Sequence, residues 1–258
     1  MCYDAEARPP LPPIRGAALD SGDVILTSAD GTRVAAYAAR AAAPTGAGIV
    51  IIPDVRGLHP FYEELALRFA EAGVDAIAVD YFGRTAGIDR RGPDFDFGSH
   101  IARTRPETLN SDVAAAAAYL RSAEGGAVER LYTVGFCFGG RLSYLQAASG
   151  IGAAGVIGFY GPPVGPNRVG LPAPADEAPR FTCPVLAIFG GADEGMGPDV
   201  VQAFDQAMDR AGVAHTTVTY PGAPHSFFDR HAGEHAEASA DAWRQVLGFM
   251  GITGAAGE

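Results

Sequence analysis

Residues 130–140 read Arg-Leu-Tyr-Thr-Val-Gly-Phe-Cys-Phe-Gly-Gly. The first half is an apolar run of strand length. The second half is a glycine-punctuated turn around Cys137, and a helical pattern follows from about 138 to 149. The same alternation extends in both directions. Strand-like runs at 48–53, 75–80, 155–160, 184–190 and 216–220 are separated by helical patterns at 60–73, 107–123, 198–211 and 235–250. Strands that are apolar throughout need cover on both faces. The chain is therefore predicted to be α/β, with a mostly parallel central sheet and helices on both faces. Upstream, 23–27 and 32–39 flank Asp30-Gly31, a hairpin signal that adds an antiparallel edge. Residues 1–20, with Pro9, Pro10, Pro12 and Pro13, read as an irregular arm. One domain, 1–258, accounts for the whole pattern. Two Gly/Pro-rich stretches, 83–105 and 161–179, are expected to loop over the top of the sheet, and long ordered loops in compact domains are usually functional.

Composition narrows the chemistry. The 258 residues are 48% hydrophobic and carry a net charge of −11, a surface that repels phosphate backbones and so argues against nucleic acid as a partner. All 19 basic residues are arginine. Without lysine there is no Schiff base, no P-loop lysine and no Ser-x-x-Lys nucleophile. The three cysteines, Cys2, Cys137 and Cys183, are too few for a disulfide framework. No G-x-G-x-x-G lies in the first βα unit, so no dinucleotide cofactor is expected. The amino terminus has no apolar h-region, and no apolar run reaches the roughly 18 residues that span a bilayer. These features predict a soluble, cytoplasmic protein that needs neither cofactor nor membrane; they do not read out the oligomeric state, for which a monomer is the simplest expectation.

Gly135-Phe-Cys-Phe-Gly139, between a strand and a helix, has the form of a nucleophile elbow with cysteine at its apex. The chain reverses within a few residues, and side chains two positions before and after the nucleophile would collide. The turn also sets the sulfur at a helix amino terminus, where partial positive charge favours thiolate. The plainer alternative is a small buried cysteine in a glycine-rich strand end. Order then predicts an acid and a histidine on later strand ends. Asp193 follows strand 184–190, and His225 follows strand 216–220. Each alone could be a loop residue. Together with Cys137 they form a nucleophile, base and orienting acid in sequence order.

Gly-Phe-Cys-Phe-Gly-Gly (135–140), Gly-Gly-Ala-Asp (190–193), His-Ser-Phe (225–227), Ile-Ile-Pro-Asp-Val-Arg-Gly-Leu (51–58) and Val-Asp-Tyr-Phe-Gly-Arg (79–84) together resemble the dienelactone hydrolase (carboxymethylenebutenolidase) family. The resemblance covers about residues 22 to 250. It implies the α/β-hydrolase fold and a Cys137-His225-Asp193 triad that cleaves small lactones or activated carboxylic esters. It also implies an acid beside the resting thiol, at the position of Asp54, where the family usually has the longer glutamate. The backbone N–H groups of Val55 and Phe138 would then form the oxyanion hole. Arg56, Arg84 and His59 are the candidates for substrate binding, with Arg103 and Arg105 as further cations on the loops.

One position departs from the family. Members that bind a substrate carboxylate have an arginine four residues after the catalytic histidine, and this chain has Asp229, followed by Arg230. A carboxylate there is expected to repel an anionic substrate. That departure motivates a rival: a non-catalytic relative that binds a small ligand or partner. His231-Ala-Gly-Glu-His235 also matches an H-x-x-E-H zinc pattern. Gly233 weakens a helix there and no third ligand is evident, so a solvated helix start is the expected reading and no metal is assigned.

Overall fold

In the computed structural model, which describes residues 7–11, 13, 18–92 and 94–252, eight strands form one sheet. They are β1 (Ala18–Thr27), β2 (Arg33–Ala41), β3 (Ala47–Ile52), β4 (Asp75–Val79), β5 (Arg130–Phe136), β6 (Gly155–Phe159), β7 (Val185–Gly190) and β8 (His215–Tyr220). The order across the sheet is β1-β2-β4-β3-β5-β6-β7-β8. β1 pairs antiparallel with β2, and β2 antiparallel with β4, while every pairing from β4 through β3 to β8 is parallel. This is the α/β-hydrolase architecture with its amino-terminal hairpin. The hairpin turn is closed by Gly31 at φ 82° and by the Thr32 N–H donating to Asp30 Oδ1 at 3.0 Å.

Among the described residues there are eight α-helices, seven between strands and one after the last: α1 (Pro60–Glu71), α2 (Gly83–Ala86), α3 (Phe97–Ile101), α4 (Pro106–Arg121), α5 (Phe138–Leu145), α6 (Pro174–Glu177), α7 (Pro198–Ala211) and α8 (Ala236–Phe249). Proline opens α1, α4, α6 and α7, at the one turn where its missing N–H costs nothing. Gly212, left-handed at φ 69°, ends α7.

The apolar strands are sandwiched as their sequence requires. In β3, Ile49 and Ile51 join the cluster formed with Phe61, Leu65 and Phe69 of α1 and Val246 of α8. The alternate residues Val50 and Ile52 join Leu109, Val113 and Leu120 of α4 and Leu142 of α5 on the other face. Period-two alternation thus feeds two cores from one strand. Parallel strands also put all their carboxyl ends on one edge of the sheet, and the residues named above cluster after those ends.

Three details differ from the sequence reading. β1 begins at Ala18, inside the stretch expected to be irregular, with a register shift between Ala18 and Asp20. The loops at 83–105 and 161–179 contain the short helices α2, α3 and α6. The segment 225–235 is a run of turns, and α8 begins after it. Of the arm, Ala7 is buried, Leu11 packs on the α1 face, and Arg8 pairs with Glu64 at 2.8 Å. Cys2 lies outside the described residues. No helix among the described residues is long and apolar enough to cross a membrane.

Candidate active site

Cys137 sits between β5 and α5 at φ 53° and ψ −113°, a backbone conformation that costs free energy and is held by its surroundings. The Cys137 N–H donates to Phe159 O at 3.0 Å, tying the turn to the end of β6. The flanking glycines are required sterically. A Cβ on Gly135 would lie 1.9 Å from Gly139 O, and one on Gly139 would lie 2.2 Å from both Ile52 O and Pro53 O. A Cβ on Gly140 would lie 2.8 Å from Phe159 O. The elbow is therefore packed backbone-on-backbone against the ends of β3 and β6. Phe138, the first residue of α5, has no earlier intrahelical carbonyl for its N–H. Val55 follows the end of β3 and is half-buried.

Asp193 lies in the turn after β7. Its Oδ1 accepts the Gly195 N–H at 3.0 Å, and its Oδ2 lies 2.6 Å from His225 Nδ1. Asp193 is buried, while the His225 side chain keeps 28% of its surface open. The two loops meet because Gly190 has no side chain: a Cβ there would lie 2.3 Å from Ala223 O. The Asp193 carboxylate thereby fixes the imidazole orientation and favours a proton on Nδ1, leaving Nε2 as the basic atom.

Asp54 is fully buried. Its N–H donates to the Tyr62 hydroxyl at 3.0 Å, and its Oδ1 accepts the Arg56 N–H at 2.9 Å. The Tyr81 hydroxyl donates to Asp54 O. Burial pushes the Tyr81 hydroxyl well above the usual tyrosine range, and the charges of Asp54, Asp80 and Cys137 add to the shift. The charges of Asp54 and Cys137 therefore both act on this one buried hydroxyl. Tyr62 is raised in the same way, first by burial, then by Asp54 and Asp229.

The remaining candidates separate. Arg56 lies over the Phe97 ring at 5.5 Å, close enough to His59 for its charge to act there. Burial, reinforced by Arg56, lowers His59 to about 4, so this ring is neutral near pH 7. Arg84 instead clamps two carboxylates: it pairs with Asp112 and, at 2.9 Å, with both oxygens of Asp30. Arg103 and Arg105 are exposed.

Asp229, the position expected to repel an anionic substrate, is engaged by neighbouring groups. It is buried, accepts the Tyr160 hydroxyl at 2.9 Å, and also accepts the Arg230 N–H. His231 and His235 lie on turns rather than on one helical face, with Glu234 at 3.5 Å from His231 Nδ1. Among the described residues no group of three His, Cys, Asp or Glu side chains could hold a metal ion.

Two residues escaped the sequence reading. Tyr160, at φ 39°, follows β6 and sets its ring 4.7 Å from that of His225. Ser226, at φ 64°, follows His225 and is fully buried. Of the four non-glycine residues with positive φ among those described, three are Cys137, Tyr160 and Ser226. Such clustering of strained backbone marks functional sites. Position was the available signal for Tyr160: it ends the strand beside the elbow.

An eight-stranded, mostly parallel sheet with an antiparallel pair at its amino-terminal edge, a strained cysteine turn after β5 and a histidine–aspartate pair after β8 and β7, has the architecture of an α/β-hydrolase. The dienelactone hydrolase family matches residues 34–253. The chain belongs to that family and is a hydrolase of the carboxylic ester and lactone class. Relatives named "Putative carboxymethylenebutenolidase" include one from Salmonella typhimurium, 30% identical over 88% of this chain and 86% of its own length. Another, from Methylorubrum extorquens, is 28% identical over 88% of this chain and 79% of its own length. Among solved structures, a "Putative Dienelactone Hydrolase" from Klebsiella pneumoniae superposes with a TM-score of 0.79 at 26% identity, covering 89% of this chain and 97% of that one.

Proposed function

We propose that this protein cleaves small lactones or activated carboxylic esters through a Cys137-His225-Asp193 triad, acting as a single-domain monomer in the cytoplasm. The observation that carries the reading is the 2.6 Å contact between His225 Nδ1 and Asp193 Oδ2, on the same sheet edge as the strained Cys137.

The steps follow from those atoms. His225 Nε2 takes the proton of the Cys137 thiol, and Asp193 stabilises the resulting imidazolium. The thiolate attacks the carbonyl carbon, and the oxygen takes up negative charge toward the N–H groups of Val55 and Phe138. The C–O bond breaks as the intermediate collapses, and the imidazolium returns its proton to the departing oxygen. A thioester on Cys137 remains. His225 then removes a proton from water as its oxygen adds to the thioester, the C–S bond breaks to release the carboxylic acid, and the imidazolium returns its proton to the Cys137 thiolate. Asp54, whose charge acts on the same Tyr81 hydroxyl as that of Cys137, is proposed to oppose formation of thiolate in the resting site by like-charge repulsion. Substrate that displaces or neutralises it would release that restraint. Arg56, with His59 beside it, is the cation proposed to meet a polar substrate group. Arg84 is the weaker candidate, because Asp112 and Asp30 engage its guanidinium.

The test is initial hydrolysis rate on a dienelactone and on a neutral aryl ester, for the wild type and Cys137→Ala. Cleavage lost in the variant supports the reading. Full esterase activity in Cys137→Ala would overturn the nucleophile. No cleavage of any ester, with no alkylation of Cys137 by iodoacetamide in the folded protein, would favour the non-catalytic rival.

A further inference from the structure

Arg141 is the largest fully buried side chain of the described residues, 1% exposed, one turn after Cys137 on α5. Among the described residues no carboxylate forms an ion pair with it. Its partners are main-chain carbonyls. Nε donates to Pro172 O at 3.1 Å; Nη1 to Pro162 O at 3.3 Å and Val164 O at 3.4 Å; Nη2 to Gly165 O at 2.8 Å and Leu171 O at 2.9 Å. A guanidinium has five N–H bonds, and here each finds one oxygen. Burial pulls the Arg141 pKa down, and only the charge of Asp176 opposes it. A buried cation satisfied by oxygens of both ends of one loop is a costly arrangement to maintain.

The loop it gathers has a defined place. It leaves the carboxyl end of β6, the strand between β5, which leads to Cys137, and β7, which leads to Asp193. Its first residues are Tyr160, against His225, and Gly161, whose backbone is packed on Gly140 and the Arg141 N–H. Val169 and Leu171 belong to the apolar cluster that contains Phe138 and Leu142. Gly165 and Gly170, at φ 73° and 78°, shape its turns. Residues 162–172 therefore make a compact Ω-type loop whose two ends close on a single side chain.

We propose that Arg141 is a positioning residue that fixes loop 162–172 as a wall beside the Cys137 elbow, and so sets which acyl or leaving groups reach the thiol. This rests on the hydrolase reading above. Cys137 caps the helix that carries Arg141: the Arg141 N–H donates to Cys137 O at 3.2 Å while its side chain holds the loop. Lysine has three donors on one atom and cannot span five carbonyls, so the position needs the planar fork.

The experiment compares wild type, Arg141→Ala and Arg141→Lys on p-nitrophenyl acetate and p-nitrophenyl butyrate, with and without methylguanidinium. Cys137 alkylation by iodoacetamide reports on the elbow, and hydrogen exchange of the 162–172 peptide reports on the loop. The expected result for Arg141→Ala is a rise in KM of about tenfold or more and a changed acetate-to-butyrate ratio. Its Cys137 alkylation stays within about twofold of wild type, its loop exchange is faster, and methylguanidinium partly reverses both changes. Arg141→Lys should recover less than added methylguanidinium does. Unchanged KM and selectivity in a folded Arg141→Ala would overturn the proposal. So would a loss of activity matched by the same loss of alkylation and not rescued, which would make Arg141 a support of the elbow alone. If the wild type cleaves neither of these esters nor a dienelactone, the hydrolase reading fails, and unchanged loop exchange in Arg141→Ala would separately remove the wall.

Discussion

His59 gives this protein a specific weakness in mild acid. Its ring is buried at the start of α1, and burial together with the Arg56 charge lowers its pKa from 6.5 to about 4. The unfolded chain takes up a proton on this ring as the pH falls through 6.5, whereas the folded chain resists uptake until near 4. Stability from this group is therefore complete above the unfolded value and is lost as pH falls between the two. Integrating that proton difference gives a loss of about 1 kcal/mol near pH 6, about 2 near pH 5 and about 3 near pH 4. The assay is urea unfolding of wild type and His59→Gln at several pH values from about 7.5 to 5. The substitution shifts the whole curve by a constant through lost packing, so the slope is the readout. Wild type should lose about 2 kcal/mol more than His59→Gln over that range. Parallel curves would show that the imidazole is not held neutral by its surroundings and would refute the reasoning.

Other substitutions probe the parts that build the site. Gly139→Ala puts a methyl group against two carbonyls at the end of β3, which the ladder with β5 holds in place. It should cost more than about 3 kcal/mol in urea unfolding and lower turnover at least tenfold. Arg84→Met leaves Asp112 buried without its cation and should cost about 3 kcal/mol, whereas Asp30→Asn, at the exposed end of the same clamp, should cost under about 1. Equal effects from the two would show that burial does not set the value of this pair. Asp193→Asn keeps the shape of the turn but favours the wrong imidazole tautomer, so kcat should fall on the order of a thousandfold with little change in Tm; a tenfold loss or less would argue against Asp193 as the orienting acid.

What the sequence disclosed and what it hid divide along physical lines. The elbow was legible because its glycines answer a steric demand that is local: Gly135 and Gly139 face each other across one turn. The sheet was legible because strands buried on both faces are nearly all apolar, with Thr133 of β5 and Asp75 of β4 as buried exceptions. The start of β1 was not, because an edge strand such as Ala18–Thr27 needs no apolar face in its first residues. Asp229 could be read only as a charge four positions after His225. Its partner Tyr160 lies 69 residues away, and the turns after His225 direct the carboxylate inward to it. Arg141 was hidden more completely. A cation at a helical position reads as solvent-facing, and its partners are backbone oxygens of a Pro/Gly-rich loop, which leave no mark in side-chain identity. A motif is legible when the constraint acts between near neighbours or on a whole face. A charge satisfied by main chain can be found only where the fold brings that main chain to it, so the reactive groups and the loop at 161–179 were nameable from sequence and the side chain that gathers the loop was not.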